Sequence, residues 1–150
     1  MNAAHAMTSP AHDRLGPEPS ARGHNAMLAA FQRSGGMARG DDLGRLLDYL
    51  NRGDFVSLAR SIASGAVFGF AWREVFWIPM FQFELRDLSI NTAPQAVVAE
   101  LAGSYTGWSL ASWFSEPNSW LQDSRPVDLL KTDLPAVLGA ARADRFVVNG

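Results

Sequence analysis

The spacing of apolar positions changes character along the chain. From residue 1 to about 40 it follows no sustained period: this stretch is rich in Ala, Gly, Pro, Ser and His, and only "AMLAAFQRS" offers a short turn of helix. Such a composition predicts a flexible N-terminal arm over 1–40 that lacks core residues, so removing residues 1–38 should change little. Between 41 and 64 the period becomes helical. In "DDLGRLLDYLN", Leu43, Leu46, Leu47 and Leu50 share helical spacing, Asp41 or Asp42 serves as N-cap, and Gly53 lies just past the end. In "DFVSLARSIASG", Asp54 caps a second helix, Phe55, Leu58 and Ile62 form its stripe, and Gly65 stops it.

After Gly65 the period shortens. "AVFGFAW" and "VFWIPMFQFEL" are dense in Val, Phe, Trp and Ile, which predicts a β-hairpin with strands near 66–72 and 75–83. Pro79 has no amide to donate, so its strand is expected at an edge or a bulge. A lone hairpin is marginal in water, and its apolar face must pack on helices or on a second copy, which favours a homodimer. From residue 92 the helical period returns. Thr92 and Pro94 open "TAPQAVVAELAG", "WSLASWFSE" follows and ends at Pro117, Pro126 opens "RPVDLLK", and Asp133 with Pro135 opens "LPAVLGAARADRFVV". The fold class is therefore mainly α with one β-hairpin: an arm over 1–40, a helical pair over 41–64, and a hairpin plus helices over 65–150.

Composition adds several exclusions. With 150 residues, 47% of them hydrophobic, the chain has enough apolar side chain for a single core. It has no cysteine, which removes disulfides, thiolate metal sites and cysteine nucleophiles, and suits a reducing compartment. No apolar run reaches the roughly 20 residues that span a bilayer, and no secretory segment is seen, so a cytoplasmic protein without a membrane partner is expected. The three histidines, His5, His12 and His24, all lie in the arm, which would leave the folded body without an imidazole for a Ser-His-Asp triad or a zinc helix. No cofactor, metal or catalytic residue is expected. Only a carboxylate pair such as Glu116 with Asp128 would be available for acid-base work, and their spacing does not argue for it.

Charge bears on nucleic acid. Twelve arginines and one lysine stand against a net charge of -2, so the whole chain carries no field for DNA. The helical pair has the spacing of a degenerate helix-turn-helix, in which Arg52 and Arg60 would be the DNA contacts, but Asp41, Asp42, Asp48 and Asp54 sit among them and favour a mixed solvated face. Three tryptophans, Trp108, Trp113 and Trp120, fall within thirteen residues, and the expected role for most of that stretch is core, with Trp120 pointing elsewhere after the Pro-Asn break.

The order of motifs resembles the toxin-binding domain of the Xre/MbcA/ParS antitoxin family. The motifs are Pro79, Phe81, Gln82 and Phe83 at the hairpin end; Trp113, Phe114, Pro117, Asn118 and Leu121 around the Pro-Asn turn; and Arg125, Pro126, Val127, Asp128, Leu129 and Leu130 before the last helix. The resemblance covers roughly residues 65–150. It implies an antitoxin that binds a cognate NAD-consuming toxin of RES or ADP-ribosyltransferase-like type and covers its active site with the C-terminal region. Arg142, Arg145, Phe146 and Asn149 are the partner-binding candidates by location and chemistry. Many members also repress their own promoter through a full helix-turn-helix, and a transcriptional regulator or orphan adaptor of the same fold is the alternative.

Overall fold

The computed structural model describes residues 19–149. His5, His12 and the first 18 residues of the expected arm lie outside the described residues. Seven α-helices and a small antiparallel sheet make up the rest: α1 (Ala21–Phe31), β1 (Met37–Arg39), α2 (Gly40–Tyr49), α3 (Phe55–Ala63), β2 (Phe70–Trp72), β3 (Val75–Pro79), α4 (Thr92–Leu101), α5 (Gly107–Ser115), α6 (Pro126–Leu129) and α7 (Leu134–Asn149). The architecture is mainly α, as the periodicity predicts. Local chemistry explains most helix starts. Asp54 and Ser57 form a reciprocal capping box at α3, each side chain accepting from the other's amide at 2.8 Å. Pro126 sits at the first position of α6, where a missing amide costs nothing.

The sheet separates two apolar clusters. Strand order is β1-β3-β2, with Met37 opposite Pro79 and Phe70 opposite Trp77. Alternation of side chains sends Met37, Phe70, Trp72 and Trp77 toward the larger cluster, built from α1 and α4 to α7, and Ala38, Phe76 and Ile78 toward the smaller one, where Leu43, Leu47 and Leu58 of α2 and α3 pack. Phe31, Phe81, Phe68 and Phe114 stack through the larger cluster with centroid separations of 4.7 to 6.0 Å. Gly69 lets the backbones approach here: a Cβ at this position would collide with the Trp77 carbonyl oxygen and the Phe76 ring.

Several expectations are corrected. Residues 20–39 are not a flexible arm: α1 places Met27 and Phe31 in the larger core, and β1 forms the third strand of the sheet. Low apolar content hid this, because an 11-residue helix needs only one buried row, here His24, Met27 and Phe31 at spacings of three and four. The folded body therefore does contain an imidazole. His24 is 2% exposed and stacks on Trp72 at 3.9 Å with an interplanar angle of 9°. Pro79 is not on an edge strand either. β3 is central, and Pro79 is tolerated because it closes the strand, where the next amide, that of Met80, bonds Gly36 O at 2.9 Å. The hairpin is shorter than expected, since residues 80–82 leave the strand as a 3₁₀ turn. Its two faces are covered within the chain, so its burial does not require a second copy.

Candidate partner-binding surface

The terminal helix is held on two sides. On one side Asp144 collects three donors: Trp113 Nε1 at 2.8 Å and Asn118 Nδ2 at 3.1 Å reach Oδ2, and Trp120 Nε1 at 2.8 Å reaches Oδ1. These donors come from α5 and from the Pro-Asn turn. Asn118 also uses its Oδ1 to accept the Trp120 amide at 2.9 Å, which sets the turn that brings the two indoles to one carboxylate. Burial, and then the negative charge of Asp144, push the nearby Tyr105 hydroxyl above the usual phenol range. The Trp-rich stretch thus divides as expected in burial: Trp113 and Phe114 are core, while Trp120 is 57% exposed. Its second task, gripping α7, was not legible, because Asp144 lies 31 residues beyond Trp113 and no local pattern pairs them.

On the other side stands Glu100 of α4. Arg142 Nε lies 3.2 Å and Arg145 Nη1 3.0 Å from its carboxylate oxygens, and Arg145 also reaches Glu100 O at 3.4 Å. Asn149 Oδ1 accepts from Ser104 Oγ at 3.1 Å. Three of the four partner-binding candidates, Arg142, Arg145 and Asn149, are therefore engaged within the chain, though through exposed contacts of small net worth, roughly 0 to 1 kcal/mol each. Phe146 is different. It is 77% exposed, and Val147 and Val148 beside it are 67% and 55% exposed. Val147 and Val148 escape a reading based on charge, yet they make the helix end apolar.

The motif residues serve the frame. Gln82 is 2% exposed and brackets the hairpin base: its Oε1 accepts from Phe68 N, and its Nε2 donates to Phe68 O and Pro79 O, all at 2.9 Å. Phe81, Phe83, Leu121, Val127 and Leu130 are buried, Pro79 and Pro126 are fully so, and Leu129 packs at the margin of the larger core. Arg125 grips Asp128 with two bonds, at 2.9 and 3.1 Å, and donates from Nη1 to Ala30 O at 2.9 Å, joining α6 to the end of α1. Pro117 is exposed at the corner after α5.

The other candidates are not brought together. Arg52 and Arg60 are exposed, and each lowers the carboxyl pKa of an aspartate, Asp87 and Asp54 respectively, behind the hydrogen bonds that those carboxylates accept. Glu116 lines a groove beside Trp113, while Asp128 belongs to Arg125 on another element. Among the described residues no cluster of three metal-ligating side chains occurs, and no helix is long and apolar enough to cross a membrane. Comparisons with protein-family models, with characterised proteins and with solved structures find no match to this chain.

Proposed function

We propose that the protein is an antitoxin-like inhibitor that binds a cognate NAD-consuming toxin in the cytoplasm and covers its active site with the end of α7. One observation carries the reading: Phe146, Val147 and Val148 stand exposed at the tip of a helix whose flanks are pinned by Asp144 and by Glu100. A rigid helix end with an aromatic anchor loses little freedom on docking, and such anchors dominate binding energy. Arg142 and Arg145 supply charge beside that anchor and can exchange Glu100 for carboxylates of the partner, at small cost because both are exposed. The motif order that resembles the Xre/MbcA/ParS toxin-binding domain supports the choice of an enzyme of RES or ADP-ribosyltransferase-like type as partner. Self-association as a homodimer belongs to the same reading, supported by Leu46 and Tyr49 of α2 and Leu50 just past its end, which are exposed, the latter two lying three and four positions after Leu46.

The test is inhibition of the co-purified NAD-consuming enzyme by full-length chain, by Phe146→Asp and by a chain ending at Arg145. Removing residues 142–150 is less discriminating, because that cut also takes Asp144 and unties the Trp113 and Trp120 indoles. Loss of inhibition with an unchanged melting temperature is expected for both variants. Full inhibition by the chain ending at Arg145 would sink the assignment. Light scattering of the free protein reads the dimer independently.

A further inference from the structure

A second surface lies at the opposite end of α7. A cleft of about 870 Å³ opens between α1, the loop that follows the sheet, and α6. Its wall is mostly hydrocarbon from Phe81, Pro94, Val127 and Leu134, and Leu85, 56% exposed, stands at its lip. Around this wall stand Arg33, Arg86, Arg125 and Lys131 against Glu84 and Asp128, a local charge of +2 in a chain of net charge -2. Arg125 and Asp128 satisfy each other. Arg33, Arg86 and Lys131 are exposed, and make no ion pair among the described residues.

We propose that this cleft is a docking groove for an acidic, partly apolar peptide segment of another protein. Charge complementarity selects an acidic occupant, and the hydrocarbon wall selects one that also carries apolar side chains. The cations stand on separate elements around the wall, which suits carboxylates spaced along an extended segment. A phosphate site gathers its donors at one point, often at free helix amides, and Pro94 deprives the first turn of α4 of one of those. Leu134 and Phe146 are separated by about 18 Å at the 1.5 Å rise per residue of a helix, so this groove is distinct from the surface at the end of α7.

The experiment titrates the full-length protein into a fluorescein-labelled peptide of alternating glutamate and leucine and follows anisotropy. Saturable binding is expected at low salt, weakening as ionic strength rises to about 0.15 M. Arg33→Glu and Lys131→Glu should each weaken it about tenfold, and replacing the leucines by serine should have an effect of similar size. Arg60→Glu, a charge reversal of the same kind on α3 outside the groove, should leave binding intact, and melting curves establish that each variant is folded. Absence of binding at low salt overturns the proposal, as does an equal loss in Arg60→Glu. Undiminished binding of the serine peptide, or displacement of the leucine peptide by inorganic pyrophosphate, would make the cleft a simple anion site and overturn it as well. The readout needs no toxin, so it stands or falls apart from the inhibition assay.

Discussion

At the scale of single residues, Asp144 ties α7 to α5 and to the Pro-Asn turn through three hydrogen bonds. Replacing it with alanine leaves the Trp113 indole and the Asn118 amide without an acceptor in a site where both residues are buried, which is expected to cost about 2 to 3 kcal/mol in denaturant unfolding. Asp144→Asn keeps one acceptor oxygen and should cost less. His24 makes the stability depend on pH. Burial first, and then the Arg73 charge, hold its pKa below the ordinary histidine value, and its Nδ1 is buried without a partner among the described residues. The fold thus prefers the neutral ring, whereas the unfolded chain takes up a proton below about pH 6.5. Stability contributed by the neutral ring is present above that value and is lost as pH falls from about 6.5 toward the lower folded pKa. Melting temperatures of wild type and His24→Phe at pH 7 and pH 5 check this, with the larger drop expected in wild type. The hairpin turn is a third point of leverage. Arg73 and Glu74 both have positive φ, 50° and 64°, where two non-glycine residues are strained. Replacing Arg73-Glu74 by Asn-Gly should raise stability by up to about 1 kcal/mol, less whatever is lost with the contact of Arg73 over the Trp72 ring.

At the scale of elements, α1 is where sequence and structure part most. Its composition reads as an arm, but Phe31 is fully buried against Phe81, and Trp72 Nε1 donates to Pro19 O at 2.9 Å. Phe31→Ala is accordingly expected to cost about 3 to 5 kcal/mol, and removing residues 1–38 should abolish cooperative melting rather than leave it unchanged. The helices α2 to α5 were legible nearly to the residue from local spacing, with Asp54 capping α3 as expected, although Asp41 and Asp42, expected to cap α2, lie inside its first turn and Arg39 precedes it without a side-chain cap. β1 was not legible. A three-residue strand carries too little alternation to register, and it exists because β3 offers a partner 40 residues away in sequence.

At the scale of the whole molecule, the sheet decides which surfaces are free. It takes α2 and α3 on one face and α1 with the C-terminal helices on the other, so both faces of the hairpin are packed against helices of the chain. Among the apolar surfaces that stay exposed are the tip of α7, the flank of α2, the start of α3 and the cleft beside α6. If the protein is the inhibitor proposed above, Phe146→Asp abolishes inhibition while leaving the unfolding free energy within about 0.5 kcal/mol of wild type, as usual for a surface substitution. Inhibition assays paired with urea melts check both halves of that statement. Of the four candidates chosen by location and chemistry, only Phe146 makes no hydrogen bond or ion pair among the described residues, since Arg142 and Arg145 meet Glu100 and Asn149 meets Ser104. The arginines could not be separated from it in sequence, because Glu100 lies 42 positions before Arg142.

By itself the sequence determined helices α2 to α7, the Asp54 cap of α3, the place of the hairpin and the order of its motifs. Each of these depends on interactions among residues a few positions apart, where spacing and backbone preference already decide the outcome. Only the tertiary structure decided that residues 20–39 belong to the core, that Pro79 closes a central strand, that a histidine is buried, and that three distant donors meet at Asp144. Such contacts join residues far apart in the chain, and a short apolar or polar side chain acquires its role there from the neighbours that packing supplies.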